Sequence, residues 1–297
     1  MTNSNHGFEL KKKSKAPFIV LSVVVIAVLA WLMIKNTSSD PKNSEAIGFG
    51  HTLKVHYEPT MIGEKSLIEF ANQHVAPDYG LKLEAVGVQD SVQGNRAVND
   101  GQFAATIHQH QWWLKQVNDA NGFKLIPTTE IFQWAFGIYS DRYRQVSELP
   151  KGAKIALPSD LANQAQALWL LQREGILTLK PEIEPRTARL KDIAENPFEF
   201  HFTEIELLSI ARSLDSVDAA IGYVAQFDAA KVPRSKGILF PAAPRTFAGR
   251  LVIAEKSKDD PAILKLQQVF SDPRIEAYLK TTDDLNVKGI FTPVSQD

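Results

Sequence analysis

The sequence of 297 residues is 44% hydrophobic and 23% charged, a globular composition with room for about two domains. Thirty-three basic against 34 acidic residues leave a net charge of −1, so a nucleic-acid binder with a broad basic surface is excluded. The sequence has no cysteine, which excludes disulfides, thiolate zinc sites, iron–sulfur clusters, thiol catalysis and a lipid on an amino-terminal cysteine.

Residues 1–35 hold five lysines and one acid, Glu9, so the 28 basic and 33 acidic residues beyond them carry a net charge of −5. Ala16–Ile34 (APFIVLSVVVIAVLAWLMI) is an uncharged run of 19 residues. As a helix it spans about 28 Å, close to the roughly 30 Å hydrocarbon core of a bilayer. Lys11–Lys15 precede the run and Trp31 lies near its far end. The positive-inside rule then puts the amino terminus in the cytoplasm and the body outside. A cleaved signal peptide is the alternative. Against it, the run exceeds the usual apolar core of roughly 7–15 residues, and no small-x-small cleavage site closes it. The expected organisation is a cytoplasmic tip and single-pass anchor at 1–35, then a polar linker at 36–47.

Strand-like and helix-like stretches alternate beyond the linker. Thr52–Tyr57 alternates as a strand, Gly63–Gln73 has helical spacing, and Leu81–Val88 reads as a second strand. Asp90–Asp100 is helical, Ala104–Ile107 a short strand, and Gln111–Ala120 helical again. Lys124–Pro127, Ala135–Tyr139 and Lys154–Pro158 read as strands, and Asn163–Glu174 as a helix with a stripe of Leu168, Leu170 and Leu171. Strands interleaved with such helices predict an α/β protein with parallel sheets and crossover helices. No repeat of fixed period is visible.

Catalytic patterns are missing: there is no G-x-S-x-G elbow, P-loop or G-x-G-x-x-G turn. His108 and His110 at i, i+2 share one face of a strand, but no third ligand of matching type lies close in sequence, and no metal is expected. Asp215, Asp218 and Asp228 are spaced as solvated positions. Neither an enzyme nor a cofactor protein is expected.

Several collinear segments point elsewhere: Thr106–Leu114 (TIHQHQWWL), Asn121–Leu125 (NGFKL), Gly137–Ser140 (GIYS), Ile155–Asn163 (IALPSDLAN), Leu170–Leu177 (LLQREGIL), Glu195–Pro197 (ENP) and Ala211–Asp215 (ARSLD). Together, across residues 53–293, they resemble the NlpA/MetQ-type methionine-binding lipoprotein family, substrate-binding proteins of ABC importers. The resemblance implies a two-lobed, type II-like periplasmic-binding-protein fold. Lobe I would hold residues 48–138 plus 238–297, and lobe II residues 139–237. It also implies helix amino termini at the cleft, whose N–H groups can hold a carboxylate.

The family's ligand-binding positions fall at Ser91, Asn95, His108, His110 and Trp113 in the first lobe and at Asn163 in the second. Trp112 replaces a family proline. Trp112 and Trp113 have ordinary packing at a helix start as their other reading. The family arginine that pairs with the ligand carboxylate falls at Gln166, and two family asparagines fall at Ala225 and Arg250. Arg250 either carries a replacement guanidinium into the cleft or is a strand-edge arginine in solvent.

The resemblance implies a non-enzymatic, extracytoplasmic substrate-binding protein, and the apolar run Ala16–Ile34 implies that it is anchored in the inner membrane. Its ligand would be a small amino acid or related anion, and its partners a permease and ATPase. The alternative is an envelope structural or regulatory protein that keeps the fold without ligand transport.

Overall fold

The computed structural model describes residues 48–295. The expected anchor, Ala16–Ile34, lies outside them. Among the described residues no helix is long and apolar enough to cross a membrane.

The elements run β1 (Thr52–Tyr57), α1 (Ile62–His74), β2 (Lys82–Gly87), α2 (Ser91–Asp100), β3 (Ala105–His110), α3 (Gln111–Asn121), β4 (Leu125–Trp134) and β5 (Phe136–Tyr139). They continue with β6 (Lys154–Pro158), α4 (Leu161–Arg173), β7 (Thr178–Leu179), β8 (Ile193–Glu195), β9 (His201–Ile205), β10 (Ala219–Tyr223) and α5 (Val224–Ala229). The chain ends with β11 (Gly237–Leu239), β12 (Gly249–Ala254), α6 (Pro261–Phe270), α7 (Pro273–Thr281) and β13 (Phe291–Thr292).

Two sheets carry the fold. One has the order β13-β4-β12-β3-β1-β2, the other β11-β5-β10-β6-β9. Counted outward from β2 and from β9, both follow one scheme: second strand, first, third, a strand from the far side of a crossing, then the fourth. In each sheet that crossing strand is antiparallel to its neighbours, β12 against β3 and β4, and β5 against β10. The sheets are therefore mixed, not wholly parallel as the alternation predicts. A chain that leaves one sheet and returns from another enters against the grain. The first crossing takes one residue, Ala135, so the second sheet starts at Phe136, three residues before the expected boundary at 139.

The local physics is ordinary. Helix α1 buries Leu67, Ile68 and Ala71 along one stripe. Helix α4 has Asp160 as its N-cap, accepting from the Asn163 N–H, and buries Ala165, Leu168 and Leu171. Strands β3 and β10 lie inside their sheets and are buried almost throughout. Gly94 in α2 lies directly under the His56 imidazole, where a Cβ would overlap the ring. That close approach is why α2 carries a glycine in mid-helix.

Candidate ligand-binding cleft

Strands β1, β3 and β4 of the first sheet and β6, β9 and β10 of the second send their carboxyl ends toward one cavity of about 190 Å³. Open α/β sheets place ligands at this position, because chain reversals leave a crevice there. The first sheet contributes Glu58 and Met61 after β1, Ser91 opening α2, His108 and His110 on β3, Trp113 on α3 and Trp134 closing β4. The second contributes Asp160, Asn163, Glu206, Tyr223 and Gln226.

A hydrogen-bond chain fixes the imidazoles of the first wall. His56 Nε2 lies 3.3 Å from the Val88 carbonyl, which only accepts, so that nitrogen carries the hydrogen. His56 Nδ1 is then a bare acceptor, and the Thr106 hydroxyl donates to it across 2.9 Å. The same hydroxyl also lies 3.3 Å from the His56 carbonyl; with its one hydrogen directed to His56 through either acceptor, Thr106 Oγ1 accepts from His108 Nδ1 at 2.5 Å. His108 Nε2 is left as a buried lone pair with no partner. The His108 ring stands edge-on to Trp113 and His56, with centroids 5.4 and 4.8 Å away. Burial holds His108 well below the ordinary imidazole value, with His56 adding to the effect, and lowers His56 to about 4.

His110 bridges to the second wall. Its Nδ1 accepts from the Trp113 N–H at 3.3 Å, so Nε2 carries the hydrogen and donates to Asn163 Oδ1, also at 3.3 Å. Burial lowers His110 to about 4, partly offset by Asn163. The Tyr223 hydroxyl reaches Asn163 Oδ1 at 2.7 Å and Gln166 Oε1 at 2.8 Å, and Asn163 Nδ2 donates to Asp160. Burial raises Asp160, and raises Glu58 at the opposite end, where Ser91 Oγ donates to Glu58 across 2.7 Å. Gln226 is 4% exposed, and neither its amide nitrogen nor its amide oxygen has a partner.

Five of the nine positions expected from the sequence, Ser91, His108, His110, Trp113 and Asn163, line this cavity. The other four do not. Asn95 exchanges two hydrogen bonds with Gln109, at 3.0 and 2.7 Å, and so supports β3. Gln166 sits behind Tyr223. Ala225 lines a separate hollow with Gly63 and Leu285, and its neighbour Gln226 reaches the cleft instead.

Arg250 needs a correction: its guanidinium is neither in the cleft nor in solvent. It pairs with Glu130 at 2.5 Å, both side chains under 20% exposed, and reaches the Thr128 carbonyl. β12 lies inside its sheet, and its neighbour β4 supplies both partners. Trp112 is also outside the cleft, bonded to Thr246 and covered by Arg186, whose guanidinium carbon is 4.5 Å from the ring centroid. The helix ends are occupied too. Asp90, His110 and Asp160 cap α2, α3 and α4, and Glu206 accepts from the Leu208 N–H. Among the described residues no group of three or more His, Asp or Glu is placed to hold a metal ion.

Sequence reasoning missed Glu58, Asp160, Glu206, Tyr223, Trp134 and Gln226. Asp160 was findable, since Ser159-Asp160 before an apolar helix is an N-cap signal.

Two α/β lobes with one strand scheme, joined by crossing strands and lining one cavity between them, define a two-lobed substrate-binding protein. The family follows from the sequence. The profile of the NlpA lipoproteins matches residues 60–291, and the chain belongs to that family. It is 30% identical to the D-methionine-binding lipoprotein MetQ of Salmonella typhi over 76% of this chain and 84% of that one. Lipoprotein 28 of Escherichia coli K12 is 31% identical over 73% of this chain and 81% of its own length. Among solved structures, a nutrient-binding protein from Burkholderia cenocepacia bound to methionine superimposes with a TM-score of 0.69 at 26% identity, covering 83% of this chain and 100% of that one. Two of these three relatives are named as binding proteins, and the chain belongs with them rather than with an enzyme family.

Proposed function

We propose that this protein is the membrane-anchored, extracytoplasmic binding component of an ABC importer of the methionine-uptake type. It holds one small, amino-acid-sized ligand between lobe I (residues 48–135 and 240–297, against the expected 48–138 and 238–297) and lobe II (136–239, against 139–237) and delivers it to a permease and its ATPase. The observation that carries the reading is the cleft itself. Aromatic rings and imidazoles form one wall and amides and hydroxyls the other, and buried polar atoms of His108 and Gln226 lack partners. Buried polar groups are normally satisfied, so unpartnered ones in a cavity mark places for a ligand.

Lipid attachment to cysteine does not apply to this sequence, which has none, so membrane retention is assigned to Ala16–Ile34. The amino terminus then lies in the cytoplasm and the body in the periplasm or at the outer face of the membrane.

Two measurements test this. The full-length protein in detergent, screened by thermal denaturation against amino acids and their derivatives, should be stabilised by about 2.7 kcal/mol at a hundred times the dissociation constant of a true ligand. A flat response across the screen leaves the envelope-structural role instead. Alkaline extraction of membranes should leave the intact chain in the pellet. Release of a shortened soluble form overturns the anchor.

A further inference from the structure

We infer that the cleft selects a ligand without a carboxylate or other anionic group, one that presents an N–H or O–H donor to His108 Nε2. This deepens the binding-protein reading and rests on it.

Three independent observations carry the inference. The first is charge. Glu58, Asp160 and Glu206 line the cavity, and among the described residues no lysine or arginine does. Arg250, at a position the family resemblance assigns to ligand contact, is bound to Glu130, which Arg245 also engages at 2.8 Å. The second is occupancy of the backbone donors. N–H groups at helix starts are the other means of holding an anion, and at α2, α3 and α4 the N–H groups of Val92, Trp113 and Asn163 are already bonded to the protein's own capping side chains. A carboxylate taken out of water here would meet three acidic side chains and, among the described residues, no lining cation, and burial of such a charge is strongly unfavourable.

The third is the direction of the hydrogen bonds. From the Val88 carbonyl through His56 and Thr106 to His108, every hydrogen is assigned, and the chain ends on a lone pair. An atom in that state is satisfied only by a donor: an ammonium, an amide N–H or a hydroxyl. The Gln226 amide has both a donor and an acceptor free and adapts to either polarity, so the selection falls to His108. The ligand class is therefore an amine, an amino-acid amide or a neutral hydroxylated or amidated small molecule with an apolar body for the Trp113 side of the cleft.

The experiment is calorimetric titration of the ligand-stripped, full-length protein in detergent near neutral pH. Matched series built on methionine, leucine and phenylalanine serve as probes: the free amino acid, its cationic amide and its anionic N-acetyl derivative. In at least one series the amide should bind at least tenfold more tightly than the N-acetyl acid. His108→Phe, which keeps a ring but removes the lone pair, should weaken the amide at least fivefold. His108→Gln, whose carbonyl restores an acceptor, should recover part of the loss. An N-acetyl acid or free amino acid binding as tightly as its amide overturns the inference and leaves the binding-protein reading standing. Unchanged amide affinity in a folded His108→Phe removes the role of the lone pair. No binding by any member of the three series overturns the binding-protein reading itself, and this inference with it.

Discussion

The first-sheet wall of the cleft is built from groups whose hydrogens are fixed by their neighbours, down to the one lone pair on His108. The second-sheet wall keeps an amide, Gln226, with nothing bound at either end, beside the cluster of Asp160, Asn163 and Tyr223. One wall is a preset template and the other can turn its amide to suit. The contrast arises because the aromatic wall packs its rings on one another, edge-on His108 against Trp113 and His110 against Phe247. Such rings leave no freedom to reorient, whereas one glutamine on a short helix does.

The rigidity of the first wall can be tested by acid. His56 has a folded value of about 4 against an ordinary 6.5. Its neutral burial therefore contributes stability in full above pH 6.5 and loses it as pH falls toward 4, by up to about 3 kcal/mol. The raised carboxylates Glu58, Glu64 and Asp160 act in the opposite sense, gaining stability on acidification. They are shared with a His56→Gln variant and cancel in the difference. The gap in unfolding free energy between wild type and His56→Gln, from urea titrations, should narrow as pH drops from 6.5 to 4. A constant gap contradicts a neutral, buried His56.

A steric test comes next in size. Gly94→Ala pushes a methyl into the His56 ring and should cost about 1–3 kcal/mol, the usual penalty for overfilling a packed site. The melting temperature should fall by several degrees. An unchanged melt would mean that the ring has room to move and the template is not preset. On the more adaptable wall, Tyr223→Phe removes one buried hydroxyl bridge and should cost only about 0.5–1.5 kcal/mol. A larger loss would make the second wall the stiffer one. The smallest effect is expected outside both walls. Arg250→Gln should leave ligand affinity unchanged within twofold, because its guanidinium is bound to Glu130 away from the cavity. A tenfold loss of affinity would bring Arg250 back to the cleft.

Much of the fold was legible as far as α4, because periodicity and caps agree there: β1, β5 and β6 begin or end where alternation does, and α2 opens behind Asp90. β4 outran its expected end at Pro127 because Thr128, Thr129 and Glu130 interrupt its apolar pattern. Those residues lie on a strand edge facing Arg250 and Leu251, which the sequence alone does not reveal. β10 (AAIGY) and β12 (GRLVIA) went unread because strands inside a sheet are buried on both faces and show no alternation. Helices α6 and α7 were readable, each announced by Asp-Pro at its start.

At the site, His108 and His110 were placed at the cavity, because they share a face of β3 by parity alone. Arg250 was not, since its partner Glu130 lies 120 positions away on a strand of underestimated length. Ala225 missed by one residue, where the chain turns from β10 into α5 and the side-chain direction changes with it.

The exchange of crossing strands also sets an order of assembly. As the chain emerges from its amino terminus, β1 to β4 come first, yet β3 and β4 have no strand between them until Gly249–Ala254 arrive. The second sheet, Phe136 to Leu239, is contiguous and complete before that point. Local pairings close faster than distant ones. The half synthesised later is thus expected to mature earlier, with the first half waiting open. Pulse proteolysis during refolding should show 136–239 protected ahead of 52–134, and the reverse order would separate folding from this topology.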